Sequence, residues 1–505
     1  MRQRDPSVLV AGLLLISGSA IAGEPSCEGA GAVAGEVKIT EGQAGFGVFL
    51  DNLDQFGTSA AMLGDVDGDG VGDLAVGVIG DDDGGSGRGA VWILFLNADG
   101  TVRAQQKISD AEGGLVGALD DGDAFGRAVA AIGDLDGDGV PDLAVGADSD
   151  DDGGSGRGAV WILLLNANGA VKAEQKISSA AGGLAGPLAN FIAFGCGVSS
   201  LGDLDGDGVA DLAVGARNSA SGGLARGAVW VLFLNANGTV KAEQKISDVD
   251  GGFGGTLLDE DNFGRSVSGL GDLDGDGAPD LAVGAPLDND GGLDSGAVWI
   301  VFLNADGTVK GEQKIAQSAG GFTGALGAGD YFGESIAAIG DLDGDGVTDL
   351  AAGASDDDDG GSNRGAAWLL LLNADGTVKA ERKISSTSGG FTGPIADGNN
   401  FGATLAALGD LNGDGVPDLA VGDPLDDEGG ANSGAVWMLF LTGCAASCPG
   451  DTNGDLVVDF ADLNTVLGDY NEVGAGLPGD VDGDGDVDFA DLNIVLGAYN
   501  TACGA

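Results

Sequence analysis

Asp134, Asp136, Asp138 and Asp142 stand at positions 1, 3, 5 and 9 of one short run, with Gly139 at position 6. Carboxylates at positions 1, 3 and 5 can converge on one point if the chain turns sharply, and the glycine permits that turn. Val140 at position 7 can add a main-chain carbonyl. A shell of hard oxygens suits Ca2+; Mg2+, which demands strict octahedral geometry, comes second. The same spacing recurs at Asp65, Asp67, Asp69, Val71 and Asp73; at Asp203, Asp205, Asp207, Val209 and Asp211; and at Asp272, Asp274, Asp276, Ala278 and Asp280. It recurs again at Asp341, Asp343, Asp345, Val347 and Asp349, and at Asp410, Asn412, Asp414, Val416 and Asp418, where an amide replaces one acid. Without a cation, so many like charges in a tight turn repel one another, so metal loops are expected rather than plain Asp-Gly turns.

A second kind of loop follows. Asp451, Asn453, Asp455, Val457, Asp459 and Asp462 hold positions 1, 3, 5, 7, 9 and 12. Asp480, Asp482, Asp484, Asp486, Asp488 and Asp491 repeat them 29 residues later. An acid at position 12 marks an EF-hand-type calcium loop. The first kind has Val145 there, inside an apolar run, and reads as a calcium loop within a hairpin. About eight Ca2+ sites are expected in all. Behind each C-terminal loop, apolar residues recur at helical spacing: Phe460, Leu463, Val466, Leu467 and Tyr470, then Phe489, Leu492, Val495, Leu496 and Tyr499.

Other chemistries are excluded or weakened. The 505 residues contain no histidine, which removes the commonest general base and every Ser-His or Cys-His nucleophile pair. No Gly-x-Ser-x-Gly elbow occurs. A formal charge of −59, from 80 acids and 21 bases, does not steer a protein to nucleic acid or to an anionic membrane. It favours solubility, cation uptake or a basic partner. Most of the acids recur in phase and are accounted for as metal ligands. A binding protein is therefore expected, with no catalytic residue; the competing reading is a polysaccharide lyase or hydrolase using a carboxylate pair.

The elements that position the loops follow from a 69-residue period. All six tryptophans keep it: Trp92, Trp161, Trp230, Trp299, Trp368 and Trp437. Within one unit, residues 124–134 alternate small and apolar side chains as a strand. Residues 141–147 form a second strand, and residues 158–166 form a continuous apolar run that suits a strand buried on both faces. Asn166-Ala167-Asn168-Gly169 is a hairpin signal, and residues 171–178 are polar enough for an outer edge. Four antiparallel strands make a propeller blade. At the N-terminal end, Val37-Lys38-Ile39-Thr40 matches Gln106-Lys107-Ile108-Ser109, while the last repeat stops after its third strand. The first strand can therefore complete the last blade. The fold class expected is all-β, a six-bladed β-propeller closed in this way, followed by a small loop-helix module.

Each unit carries Phe125-Gly126, then the loop from Asp134 to Asp142, then Gly146-Ala147, or their equivalents. This resembles the FG-GAP repeat of integrin α-subunit propellers, over residues 34–442. The resemblance implies a propeller with calcium-binding hairpin loops and an adhesion or interaction role. The family's propellers have seven blades, whereas the period here gives six. Residues 451–500 resemble a type I dockerin: each loop is followed by one helix and preceded by none, and Leu456 stands where the loop usually has glycine. That resemblance implies docking to a cohesin module, and the near-identity of the halves would let either face dock.

Arg2 and Arg4, the apolar run 8–16 and Ala20-Ile21-Ala22 before Gly23 read as a signal peptide over residues 1–22. A secreted or cell-surface protein is expected, with no transmembrane span in the mature chain. The boundaries are a short segment 23–33, the propeller 34–442, a linker 443–450 and the module 451–505. The face opposite the calcium loops carries less regular loops at 81–88, 150–157, 288–290, 356–364 and 426–428. Repeat three breaks their pattern with Arg217-Asn218-Ser219. These loops read either as a surface for an extracellular protein or glycan, or as solvated acidic turns. Cysteine positions suggest pairs Cys27–Cys444 and Cys448–Cys503, with Cys196 a small core residue. Non-reducing peptide mapping should recover these two links and a free Cys196; any other pairing refutes the assignment.

Overall fold

The computed structural model describes residues 30–443, 457–458, 460–470, 487, 489–497 and 501–502. They fall in two compact units, one spanning Gly29–Ala445 and one containing Ala446–Ala505. The signal-peptide reading, Cys27, Cys444, Cys448 and Cys503 lie outside the described residues.

The first unit contains six four-stranded antiparallel sheets. In blade two the strands run from Phe125–Gly133 at the axis through Asp142–Ala147 and Ala159–Leu165 to Val171–Ile177 at the rim. The pattern of burial explains the order. The second strand is buried throughout and the third nearly so, while the fourth has exposed Ala173 among half-buried residues between buried ends. Blade six is Thr404–Gly409, Asp418–Asp423 and Ala435–Leu441, completed by Val33–Ile39 from the start of the chain. Lys38 faces Trp437 there, as Lys176 faces Trp161 in blade two. The expected closure and its register are both present, and the ring has six blades.

The core is six layers, one between each consecutive pair of blades. One layer joins blades two and three through Ile162, Phe194, Leu212 and Trp230. Another joins blades six and one through Phe46, Phe56, Trp92 and Met438. In each layer a phenylalanine meets the tryptophan edge-on, for example Phe194 and Trp230 with ring centroids 5.8 Å apart.

Glycine sets how near the blades come. A Cβ on Gly146 would lie 2.0 Å from the Gly195 carbonyl oxygen of the next blade. Gly77, Gly215, Gly284, Gly353 and Gly422 meet Gly126, Gly264, Gly333, Gly402 and Gly57 in the same way, at 1.9–2.2 Å. The glycine of each Val-Gly-Ala or Ala-Gly-Ala strand, or of Val-Gly-Val in blade one and Val-Gly-Asp in blade six, thus abuts the glycine of the following Phe-Gly. The Phe N–H also reaches back, as Phe125 does to the Arg88 carbonyl at 2.9 Å.

The second unit shows helices Phe460–Asp469 and Phe489–Gly497, packed on each other, and a short ladder of Val457–Val458 with Thr501–Ala502. Val466 and Val495 are buried between them, while Phe460, Leu467, Phe489 and Leu496 are exposed.

Gly146→Ala should cost about 3 kcal/mol, because backbone cannot yield to the new methyl. Gly133→Ala has nothing within 4 Å of its new Cβ and carries only its left-handed backbone, φ +69°; it should cost about 1 kcal/mol. Urea unfolding of both variants checks the difference; equal costs refute the role of the blade contact.

Candidate metal centres

The loop after the inner strand of blade two is shaped by its own acids. Asp134 Oδ1 accepts from the N–H groups of Gly137 at 2.8 Å and Asp138 at 3.0 Å, and Oδ2 from Gly139 at 2.7 Å. Asp138 Oδ1 accepts from the Val140 N–H at 3.0 Å. Asp142 is fully buried at the start of the second strand. Its two oxygens accept from Leu135 and Leu165, each at 2.9 Å, so it ties the loop to the third strand.

Folding brings three carboxylates together in each of five loops. Oxygens of Asp134, Asp136 and Asp142 lie within 4.8 Å of one another. So do those of Asp65, Asp67 and Asp73; of Asp203, Asp205 and Asp211; of Asp272, Asp274 and Asp276; and of Asp341, Asp343 and Asp349. Position 5 otherwise stands aside: Asp69, Asp138, Asp207 and Asp345 each accept from the N–H of position 7, which belongs to Val71, Val140, Val209 and Val347. In blade four Asp276 joins the trio, with its Oδ1 bonded to Ala278, while Asp280 is held by Leu273 and Leu303. In blade six, Asp410 accepts from Asp414 and Gly415, Asp414 from Val416, and Asp418 from Leu411 and Leu441; Asn412 offers only an amide oxygen.

Burial pushes the position-9 carboxyls up against the pull of their N–H donors. Asp73, Asp211, Asp280 and Asp418 rise to about 6 and Asp349 to about 7, and neighbouring loop acids add to the rise. Ionised carboxylates held this close need a cation, and the all-oxygen donor set fits a hard divalent one.

A cation of the protein itself reaches five of these loops, a feature the sequence reading did not single out. From the outer strand, Lys172 Nζ lies 2.9 Å from Asp136 and bonds Asp138. Lys241, Lys310 and Lys379 do the same in their blades, and Arg103 lies 2.7 Å from both Asp67 and Asp69. Blade six has Ala34 at the corresponding place, and it is the blade whose loop carries Asn412. Acid and base are lost together. The signal was legible as a base 36 residues after position 3.

On the opposite face the leading acids are neither solvated nor free, contrary to one expectation. Asp81, Asp150, Asp288, Asp357 and Asp426 are at most 5% exposed. Each is paired with a lysine from the outer strand, as Asp150 is with Lys176 at 2.6 Å. That lysine also lies over the blade's tryptophan, 5.1 Å from its centroid in blade two. In blade three, where Ser219 replaces the acid, Lys245 turns to Ser221 and Asp250.

In the second unit, Asp462 and Asp491 are buried in the first turn of their helices, where the helix dipole favours an acid. Val457 lies in the short ladder. Asp451, Asn453, Asp455, Asp459, Asp480, Asp482, Asp484, Asp486 and Asp488 lie outside the described residues.

Five stretches, residues 125–163, 197–232, 263–301, 332–370 and 401–439, match the FG-GAP repeat. Integrin alpha-PS5 of Drosophila melanogaster is 35% identical over 163 residues, 32% of this chain and 15% of its own length. Integrin alpha-3 of Cricetulus griseus is 33% identical over 206 residues, 40% of this chain and 17% of its own. Phosphatidylinositol-glycan-specific phospholipase D of Bos taurus is 33% identical over 179 residues, 35% of this chain and 20% of its own. The chain thus spans a fifth or less of these relatives. Its first unit is an integrin-like FG-GAP β-propeller. Among the described residues, no helix is long and apolar enough to cross a membrane.

Blade six has one buried acid the other blades lack. Asp423 stands where they have Val78, Ala147, Ala216, Ala285 and Ala354. It accepts from Asn399 and from the Trp437 indole, both at 3.3 Å. Burial, and then Asp426, raise its carboxyl from 3.8 to about 7. The folded state therefore holds a proton the unfolded state has released, and wild-type stability falls as pH rises from about 4 to about 7. Asp423→Ala removes that loss. Each tenfold change in proton affinity is worth about 1.4 kcal/mol, so the variant's stability relative to wild type should improve by about 2 kcal/mol or more over this window. Urea unfolding between pH 4 and 8 in saturating calcium measures this, and a constant difference refutes it.

Proposed function

We propose that this chain is a secreted or cell-surface adhesion or interaction protein whose propeller is held by Ca2+ and presents a surface to an extracellular protein or glycan. The observation that carries the reading is the convergence of three carboxylates in each of five loops, all at one end of an integrin-like ring. Ligands are assigned to positions 1, 3, 5 and 9 and the carbonyl of position 7 in all six loops, Asp410 to Asp418 included. A catalytic pair is disfavoured, because the phased acids are already engaged by backbone N–H groups, lysines or, on this reading, a cation.

The C-terminal residues 451–505 form a dockerin-like module in the same proposal, with two further Ca2+ loops ending at Asp462 and Asp491. Exposed Phe460 and Leu467 on one helix, and Phe489 and Leu496 on the other, offer equivalent apolar faces to a cohesin-like partner.

Excess chelator should lower the melting temperature by more than about 10 °C, and Ca2+ should restore it, because a ligand bound only by the folded state stabilises it. Asp136→Ala should lower the calcium stoichiometry by one. An unchanged melting curve refutes the metal assignment. A cohesin pull-down that is negative in calcium, with the propeller still stabilised, refutes only the docking assignment.

A further inference from the structure

The repeats differ most where they face the axis. Two residues past each Phe, where the inner strands face one another, blades one to six present Thr58, Arg127, Cys196, Arg265, Glu334 and Ala403. Five residue types occupy six equivalent places, in a chain whose Phe, Gly, Trp and most loop Asp positions are copied almost without change. Just above this ring, at the end opposite the acidic loops, stand Gln55, Ala124, Ala193, Asn262, Tyr331 and Asn400. All six have left-handed backbone, φ 57–63°. That conformation is strained for alanine and for tyrosine. It is held because each N–H is tied to a carbonyl of the preceding blade, as Tyr331 is to Asp294 at 3.3 Å. The rim is therefore fixed in advance of any ligand.

All of these residues except Cys196, Ala124 and Ala193 line a cavity of about 420 Å³, within the range of small-ligand sites. Its wall includes Arg127, Arg217, Arg265, Tyr331, Glu334 and Asp356, with Pro286, Leu287, Pro424 and Leu425 as apolar surface. Below, Val129, Val198, Val267, Ile336 and Leu405 form a buried apolar ring. Arg217 stands where the other repeats have Ile79, Asp148, Pro286, Ser355 and Pro424, two residues before the Ser219 that replaces the acid.

The cavity is rich in guanidinium for a chain of net charge −59. Arg265 is bonded to Glu334. Asp148 Oδ2 lies 3.6 Å from Arg127 Nε and 2.9 Å from Arg217 Nη1. The two guanidiniums thus share one carboxylate as ion pairs, with Arg127 Nε too far for a hydrogen bond, and both nitrogens are buried. Buried unsatisfied donors are costly and call for an acceptor. Burial and then the field of Arg265, with Arg217 adding to it, pull the Arg127 guanidinium down to about 10, against the opposing effect of Asp148 and Glu334. An incoming anion relieves that repulsion. Glu334 and Asp356 in the same wall repel a second anionic group, so the site suits one carboxylate and disfavours a run of them.

We propose that the axial cavity binds the single carboxylate of an acidic sugar, a uronate, with Arg127 and Arg217 as its donors and Tyr331 and the prolines against the sugar ring. The fork of an arginine matches a carboxylate in two parallel bonds, and aromatic and apolar surface suits the face of a pyranose. The inference rests on the reading of the propeller as an interaction module and names the chemical class of its ligand.

Calorimetric titration of the mature protein in calcium tests it with three probes: a glucuronate-terminated disaccharide, its neutral glucose counterpart, and triglutamate. The acidic disaccharide should bind at least about tenfold more tightly than either of the others. Arg217→Gln should weaken it by about tenfold or more, measured at a temperature where the variant is folded, because the change also leaves the buried Asp148 with one partner fewer. Glu334→Gln should tighten it, a gain that misfolding cannot produce. Equal binding of acidic and neutral sugars, preference for triglutamate, no binding of any probe, or indifference to both substitutions overturns the assignment. Calcium stabilisation and partner capture that succeed while the sugar fails leave the interaction reading standing; their failure removes that reading whether or not the sugar binds.

Discussion

Two main chains meet at the inner edge of every blade junction with no side chain between them. The glycine of one blade's second strand lies against the glycine that opens the next blade's first strand, and the room between them is smaller than one methyl group. Everything further out follows from that approach. It brings the broad faces of adjacent sheets into contact, so that valine, leucine, phenylalanine and tryptophan fill six equivalent layers. Because the chain's first strand finishes its last blade, the sixth layer is as complete as the others and no edge is left open.

Charge is arranged on the same plan. An outer-strand lysine lies over each blade's tryptophan, and in five blades it also binds a buried acid on the face opposite the Asp-rich loops. A second outer-strand base reaches the Asp-rich loop at the other end of the strand in five blades. Blade six, lacking that base, also lacks one loop carboxylate. The few positive charges of this very acidic chain thus stand where acids are most crowded. The axial cavity departs from the plan: its three arginines come one each from blades two, three and four, and they face acids that only partly satisfy them.

Repetition and variation therefore separate two kinds of residue. Phe125, Gly126, Asp142, Gly146 and Trp161 have counterparts in every blade, because each blade meets the same geometric demands. Thr58, Arg127, Cys196, Arg265, Glu334 and Ala403 occupy one place in the blade and share no demand except to fit the axis.

Taken alone, the sequence determined the period, the strand order, the blade number and the closing strand. Each is written in local pattern: alternation, apolar runs, turn residues and a fixed 69-residue step. It also determined which acids share a loop, since acids within a run of nine residues are brought together by one turn. The tertiary structure decided what depends on residues far apart in the chain. Only the ring places Arg127, Arg217, Arg265 and Glu334 around one cavity. Only sheet pairing carries Lys172 to Asp136, and only the blade junction shows why the Phe-Gly and Val-Gly glycines must be glycines. Distances of this kind are set by packing between blades, which no local pattern encodes.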